Sequence, residues 1–300
     1  MELAVATVSQ GLLWALLAIG VYITFRVLDI ADLTVEGSFP LGAAVSAKLI
    51  VEGIDPITSL IFACFAGMLS GVVTGFLCTK LKIPALLSGI LTMIALYSVN
   101  LRVMGKANLA LLQEKTIFTE FDVLKILNIT DASPAVTVLV IGFIIVLMVG
   151  LLNYWFFGTE IGTAVRATGN NPNMIRANGI NTDVMIVLGL LLSNGLVAIS
   201  GALVAQSNGF ADVGMGVGTI VIGLASVIIG EVLFGTRSFM NSLISVILGS
   251  IAYRVVIAAV LQMGMPPNDL KLFTAVLVAI ALSLPLIQAK LKRRKAVKEC

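Results

Sequence analysis

Long apolar runs separated by short polar gaps set the pattern of this chain. Predominantly apolar stretches lie at about 6–26, 56–79, 84–104, 134–157, 185–205, 217–235, 239–262 and 270–288. A helix of about 20 residues crosses the ~30 Å hydrocarbon core of a bilayer, so each stretch reads as a span. A shorter run at 37–51 begins beside Glu36 and Gly37 and reads as a broken or partial helix. Such a helix is tolerated only where protein or a cavity surrounds it. Ten-residue strands of alternating polarity are missing, which argues against a membrane β-barrel. The expected fold is all-α: a polytopic membrane protein of about 9 (8–10) transmembrane helices.

The polar gaps orient the spans. The tail KLKRRKAVK (Lys290 to Lys298) is strongly basic, and basic clusters beside a span mark the cytoplasmic side. Counting back from it puts Phe234–Ser238, residues 158–184 and Lys80–Lys82 inside. The same count puts Met265–Asp269 and the acidic loop 105–133 outside. The N-terminus then faces outward, an assignment that depends on how residues 27–51 cross. The first run has no basic segment before it and is long enough to span, so it reads as a retained helix.

Two stretches resemble each other: ADLTVEGSFPLGAAVSAKLI from Ala31 and ADVGMGVGTIVIGLASVIIG from Ala211. Both start Ala-Asp and lead into an apolar helix rich in small residues. By the count above they start on opposite sides of the membrane. The expected organisation is one transmembrane domain over 1–300, with two inverted four-helix repeats at about 6–104 and 185–288. A linking span at 134–157, a cytoplasmic loop at 158–184 and a basic tail at 289–300 complete it. Inverted repeats are a transporter architecture.

Composition agrees with the pattern. The chain is 59% hydrophobic and 12% charged, far from the roughly 25% charge of soluble domains. Its net charge of +3 owes much to the tail and points to the membrane surface, not to nucleic acid. Histidine is absent, which removes histidine-based metal sites. No G-x-x-x-x-G-K-[ST] loop or G-x-S-x-G elbow occurs, so neither a phosphate cradle nor a hydrolase nucleophile is present, and no cofactor or enzyme activity is expected. Cys64, Cys78 and Cys300 suggest free thiols.

Charged residues within spans are costly and therefore candidates for function. Arg254 is one such residue. It either snorkels or pairs with a backbone carbonyl, or it faces a cavity and helps an anionic group to pass. Lys48, near the outer end of its short span, reads as snorkelling. Asp32, Glu36, Asp212 and Glu231 fall at the ends of predicted spans, which counts against an ion-coupled carrier. Ser88, Thr92, Tyr97 and Asn100 give the fourth span a polar set that either lines a pathway or bonds to neighbouring helices. Ala63, Gly67, Gly71 and Gly75 recur every four residues, a stripe for close helix packing within the chain or between subunits.

Against this apolar background, RATGNNPNMIRANGINTD (Arg166 to Asp183) stands out as polar. Asn171 before Pro172 reads as an N-cap and first helical residue. Gly179 reads as the left-handed residue past a helix end. The residues between make about two turns, roughly 10 Å. Met174 and Ile175 would offer a small apolar spot. Such a helix either connects spans or docks a cytosolic partner.

Arg166-Ala167-x-Gly169-x-Asn171-Pro172, then Gly179-Ile180-Asn181, resembles the cytoplasmic loop of ABC-importer permeases of the branched-chain amino acid and ribose superfamily. GALVAQSNGFADVGMGVGTIVIGLASVIIGEVLFG is similar to the second-half segment of that family. ADLTVEGSFPLGAAV is similar to the branch near tryptophan/tyrosine uptake systems. Together the resemblance covers about 10–288. It implies a multi-pass permease of the cell membrane, in contact with lipid and with its C-terminus in the cytoplasm. Two copies would form the pathway as a homodimer. Cytosolic ABC ATPase subunits would grip the coupling helix, Asn171 to Gly179, through Met174, Ile175 and Arg176. An extracytoplasmic substrate-binding protein would deliver a small solute, in this branch an aromatic or branched-chain amino acid. Some members carry an extra first span that this chain lacks. The alternative is an ion-coupled secondary transporter or a channel.

Overall fold

The computed structural model describes residues 2–112, 114–120, 134–264, 269, 272–276 and 279. The tail 289–300, most of the ninth expected span at 270–288 and the stretch 121–133 of the expected outer loop lie outside the described residues.

The chain folds as helices. α1 is Glu2–Tyr22, continued by a π-helical turn at Ile23–Val27. α2 is Val35–Val51, α3 Pro56–Thr79 and α4 Ala85–Met104. A short strand, β1 (Asn108–Ala110), and a single turn, α5 (Ile117–Glu120), lead to α6, Pro134–Gly158. Two short helices, α7 (Glu160–Asn170) and α8 (Pro172–Ala177), precede α9, Thr182–Asn208. β2 (Phe210–Asp212) pairs antiparallel with β1 and passes through a 3-10 turn (Val213–Gly216) into α10, Thr219–Phe234. α11 is Phe239–Gln262. Among the described residues seven helices are long and apolar enough to cross a membrane; the 16-residue α10 counts only together with the 3-10 turn before it, and the 17-residue α2 is not among them. Together with these seven, α2 and the partly described stretch 270–288 agree with an expected total of about 9.

Internal contacts show how the helices run. Gln10 on α1 donates to Ser207 near the end of α9 at 3.2 Å, and Arg26 at the other end of α1 pairs with Glu231 on α10. α1 and α9 are therefore antiparallel. The residues after α1 do not stay at the surface. Asp32 is 2% exposed and accepts from Asn194, which lies 12 residues into α9, about 18 Å along its axis. α2 thus starts inside the bundle and climbs beside α9, reaching Gln206, which donates to Ser46 at 3.0 Å. α10 also starts inside, where the Gly218 N–H donates to Glu36 Oε1 at 3.0 Å, and it descends to Arg26. The two partial helices leave one buried junction in opposite directions.

The sequence repeat has a structural counterpart at this junction. The Thr34 N–H donates to Asp32 Oδ1 at 2.9 Å, and the Gly214 N–H donates to Asp212 Oδ1 at 2.7 Å. Each aspartate closes the same two-residue turn, which carries the chain into a helix. Each long helix packs against the partial helix of the other half: α1 against α10 and α11, α9 against α2 and α3.

The glycine stripe of α3 packs against α9. A Cβ at Gly67 or Gly71 would collide with the backbone carbonyls of Asn194 or Leu190, and one at Gly75 would lie 2.9 Å from Val187. This backbone approach resolves the choice left by spacing alone: the stripe is buried inside the chain and is not a subunit interface. The outer side of α3 exposes Ile61, Phe65, Leu69, Val73 and Phe76, a face suited to lipid. Lys48 pairs with Glu52 one turn on, at 3.1 Å.

Candidate functional site

Two regions carry polar structure within this apolar fold. One is the polar loop between α6 and α9. Thr159 caps α7, its Oγ1 accepting from the Gly162 N–H at 3.2 Å. Asn171 caps α8, its Oδ1 accepting from the Met174 N–H at 3.1 Å, and Pro172 opens the helix. Gly179 has φ +81°, and the bonds Gly179 N–H to Arg176 O (3.0 Å) and Ile180 N–H to Ile175 O (3.2 Å) close the helix. These two bonds are those of a Schellman C-cap.

α8 is anchored on one side and open on the other. Ile175 is 4% exposed and Met174 is 50% exposed. The expectation that both form one apolar surface spot is thus corrected. Neighbouring helical residues point about 100° apart, so one of them can root the helix while the other faces out. Arg176 is not free either: its Nε donates to Thr182 Oγ1 at 2.8 Å, tying α8 to the start of α9. Arg166 lies over the Phe239 ring at 4.8 Å, joining α7 to α11. Gly169 meets Val27 so closely that a Cβ there would collide with the Val27 carbonyl oxygen. Replacing Asn171 by alanine should remove the N-cap and cost about 0.5–2 kcal/mol of local stability. Faster amide hydrogen exchange at Met174, with α9 unchanged, is the measurable result.

The other region is the junction inside the bundle. Asn194 donates through Nδ2 to Asp32 Oδ2 (2.8 Å) and to the Leu190 carbonyl (3.0 Å), and its Oδ1 accepts from Ser38 Oγ (2.7 Å). Thr34, Thr74 and Thr92 form a hydroxyl chain with steps of 2.7 and 2.9 Å across α2, α3 and α4. Ser88 bonds back to the Ile83 carbonyl at 3.3 Å. Asp32 and Glu36 do begin an element, as expected, but that element starts inside the protein. Their position therefore no longer speaks against ion coupling.

The five residues expected along a pathway do not converge. Ser88 and Thr92 are buried at 0% and 3% exposure and bond within the bundle. Tyr97 and Asn100 line a cavity of about 330 Å³ together with Glu36, Gly37 and Pro40. Arg254 lies apart, its guanidinium 4.1 Å from the centre of the Trp14 ring, with Nε buried and without a hydrogen-bond partner. It is held by a cation–π contact, which spacing could not reveal. Asn194 and Ser38 escaped the sequence reading. The signal was available, since an asparagine in the middle of an apolar span has no water to bond and must find a protein partner. Cys64 and Cys78 are free, and Cys300 lies outside the described residues.

Comparison with known proteins gives these regions a context. The family described as branched-chain amino acid transport system / permease component matches residues 3–282. A tyrosine transport system permease protein of Clostridioides difficile (strain R20291) is 39% identical over 292 residues, covering 97% of this chain and 94% of that protein. A galactofuranose transporter permease protein of Escherichia coli (strain K12) is 29% identical over 275 residues, covering 89% of this chain and 75% of that protein. Among solved structures, PsaBC from Streptococcus pneumoniae in complex with Fab has a chain that superposes with a TM-score of 0.51 at 14% identity. That likeness, over 94% of this chain and 90% of the other, concerns the fold.

Proposed function

Because the chain belongs to the family of permease components of branched-chain amino acid transport systems, we propose that it is the membrane subunit of an ABC importer for an amino acid. The loop helix α8 is its coupling helix and faces the cytoplasm. Two copies form the pathway, separate ATPase subunits supply the energy, and an extracytoplasmic binding protein delivers the solute. An amino acid is favoured over a sugar because the tyrosine transport relative matches at higher identity and over more of both chains than the galactofuranose one.

The observation that carries this reading is the build of α8. A six-residue helix has little stability of its own, yet this one is capped at both ends, rooted by Ile175 and left with Met174 outward. That is the build of a handle. Its connection inward is short. α7 directly precedes it, with Asn171 alone between them, and Gly169 of α7 rests on the Val27 carbonyl at the end of the π-helical turn. Five residues further on is Asp32, in the buried junction. Backbone-to-backbone contact leaves little slack, so a push on α8 moves the entry to that junction.

Reconstitution into vesicles with the partner ATPase and binding protein tests the assignment. Uptake should require ATP inside the complex and stop when the ATPase is omitted. Uptake by the purified chain alone, driven by a proton or sodium gradient, would establish the secondary-transporter reading that the buried Asp32 and the half-buried Glu36 leave physically open.

A further inference from the structure

We propose that the cavity beside Glu36 is a subsite for the ammonium group of an amino-acid substrate. This deepens the amino-acid reading above and rests on it. The cavity lies where the two partial helices meet, and its volume of about 330 Å³ falls within the usual range for small-ligand sites. Its lining is mixed. Met93, Ile94, Pro40 and Val217 supply apolar walls and Tyr97 an aromatic one, while Glu36 and Asn100 supply fixed polarity.

The hydroxyls of Tyr97 and Ser98 can donate or accept, but the charge and the fixed side-chain acceptors have one sign. Glu36 Oε1 accepts from the Gly218 N–H, and Oε2 accepts no hydrogen bond among the described residues. Asn100 is 0% exposed; its Nδ2 donates to the Gly37 carbonyl at 3.3 Å, and its Oδ1 has no partner. Turning the amide over would set oxygen against oxygen at Gly37, so the free group is an acceptor. A buried acceptor without a donor is costly, and native proteins rarely leave one. The lining holds no lysine or arginine. A ligand group that fits therefore brings N–H donors and positive charge. A carboxylate in the ammonium's place would meet Glu36 and be repelled. Neutral hydroxyls could donate to Asn100 and Glu36 but would gain less from the charge of Glu36 than an ammonium does. An amino acid placing its ammonium between Glu36 and Asn100 leaves its side chain along Met93, Ile94 and Tyr97.

Saturation-transfer NMR on the purified full chain in detergent tests this with three probes: L-tyrosine, tyramine and 3-(4-hydroxyphenyl)propanoate, which lacks the amine. The expected result is binding of both amines, with the des-amino acid weaker by about tenfold or more, as loss of a charge-assisted hydrogen bond demands. Glu36→Gln keeps an acceptor for Gly218 while removing the charge, and should erase the preference for amines. Asn100→Leu removes the free acceptor at similar size and should weaken the preference. Elution and melting of the variants like wild type excludes unfolding as the cause, and retained binding of the des-amino acid by both variants excludes loss of the cavity itself. Wild-type protein without amine preference, or Glu36→Gln retaining it, overturns the proposal. Failure of the subsite is separable from failure of the transport reading. ATP-driven tyrosine uptake that survives Glu36→Gln with its amine preference intact would reject only the subsite. Amine-selective binding by a chain that gives no ATP-driven uptake would reject only the importer.

Discussion

Gly42→Val should unfold this protein at temperatures where wild type survives. A Cβ at Gly42 would sit inside the Ala198 carbonyl group, in contact with its oxygen, carbon and Cα. Each of these is backbone, so no flexible side chain can swing away. One turn further along the same crossing, Gly201 meets the Phe39 carbonyl in the same way. The crossing of α2 and α9 is thus closed from both sides and cannot slide to make room. Overpacking costs about 1–3 kcal/mol where side chains can adjust, and a rigid obstacle raises that. α2 is also packed against α3 and α4, so it cannot shift aside to relieve the clash. The expected outcome is a fall in melting temperature of at least about 2–4 °C, from the lower bound of that cost in a chain of this size, or loss of monodisperse protein. Gly158→Ala is the control, because a Cβ there meets nothing within 4 Å. Equal melting of the two variants would refute the close crossing.

Met174→Glu should abolish coupled transport without touching the fold. Met174 is half exposed on α8, so a carboxylate there remains in water in the free chain. In a docked complex the same carboxylate would be desolvated against an apolar cleft, at a cost of several kcal/mol. ATP-driven uptake and stimulation of the ATPase should both fall by at least about tenfold, since 1.4 kcal/mol already gives that factor. The melting temperature should stay within error. Ile175→Ala acts differently. It removes the buried root of α8, at about 2–5 kcal/mol for a truncation of this kind, and should raise hydrogen exchange through the loop before it lowers uptake. Normal uptake by Met174→Glu would refute docking through the exposed face of α8, whatever Ile175→Ala does.

The same distinction between inner and outer faces explains how far the sequence could be read. Apolar runs announce spans because a bilayer leaves the backbone no partner but itself, and that rule needs no tertiary knowledge. The local signals around α8 were legible for a similar reason. Asn171, Pro172 and Gly179 act through bonds two to five residues away, so their chemistry is written in their spacing. The direction of Ile175 was not legible, because which side of a six-residue helix is covered depends on the helices beside it. Arg254 posed the same difficulty: its partner, Trp14, lies 240 residues away in sequence.

The sequence by itself determined the apolar class, the spans, the caps of the loop helix and the Ala-Asp repeat, all of which follow from solvent exclusion or from hydrogen bonds over a few residues. Only the tertiary structure decided the rest. It took Asp32 and Glu36 from the ends of predicted spans into the interior, because α2 and α10 begin where α9 can supply Asn194 and where each helix start can meet the other. It turned the glycine stripe inward, because the missing side chains let the carbonyls of Asn194 and Leu190 approach. It also left Asn100 Oδ1 as a buried acceptor beside Glu36, because that geometry depends on α2, α4 and the chain around Gly214 and Val217 meeting at one point. No local pattern encodes such a meeting, since it is set by the packing of segments more than a hundred residues apart.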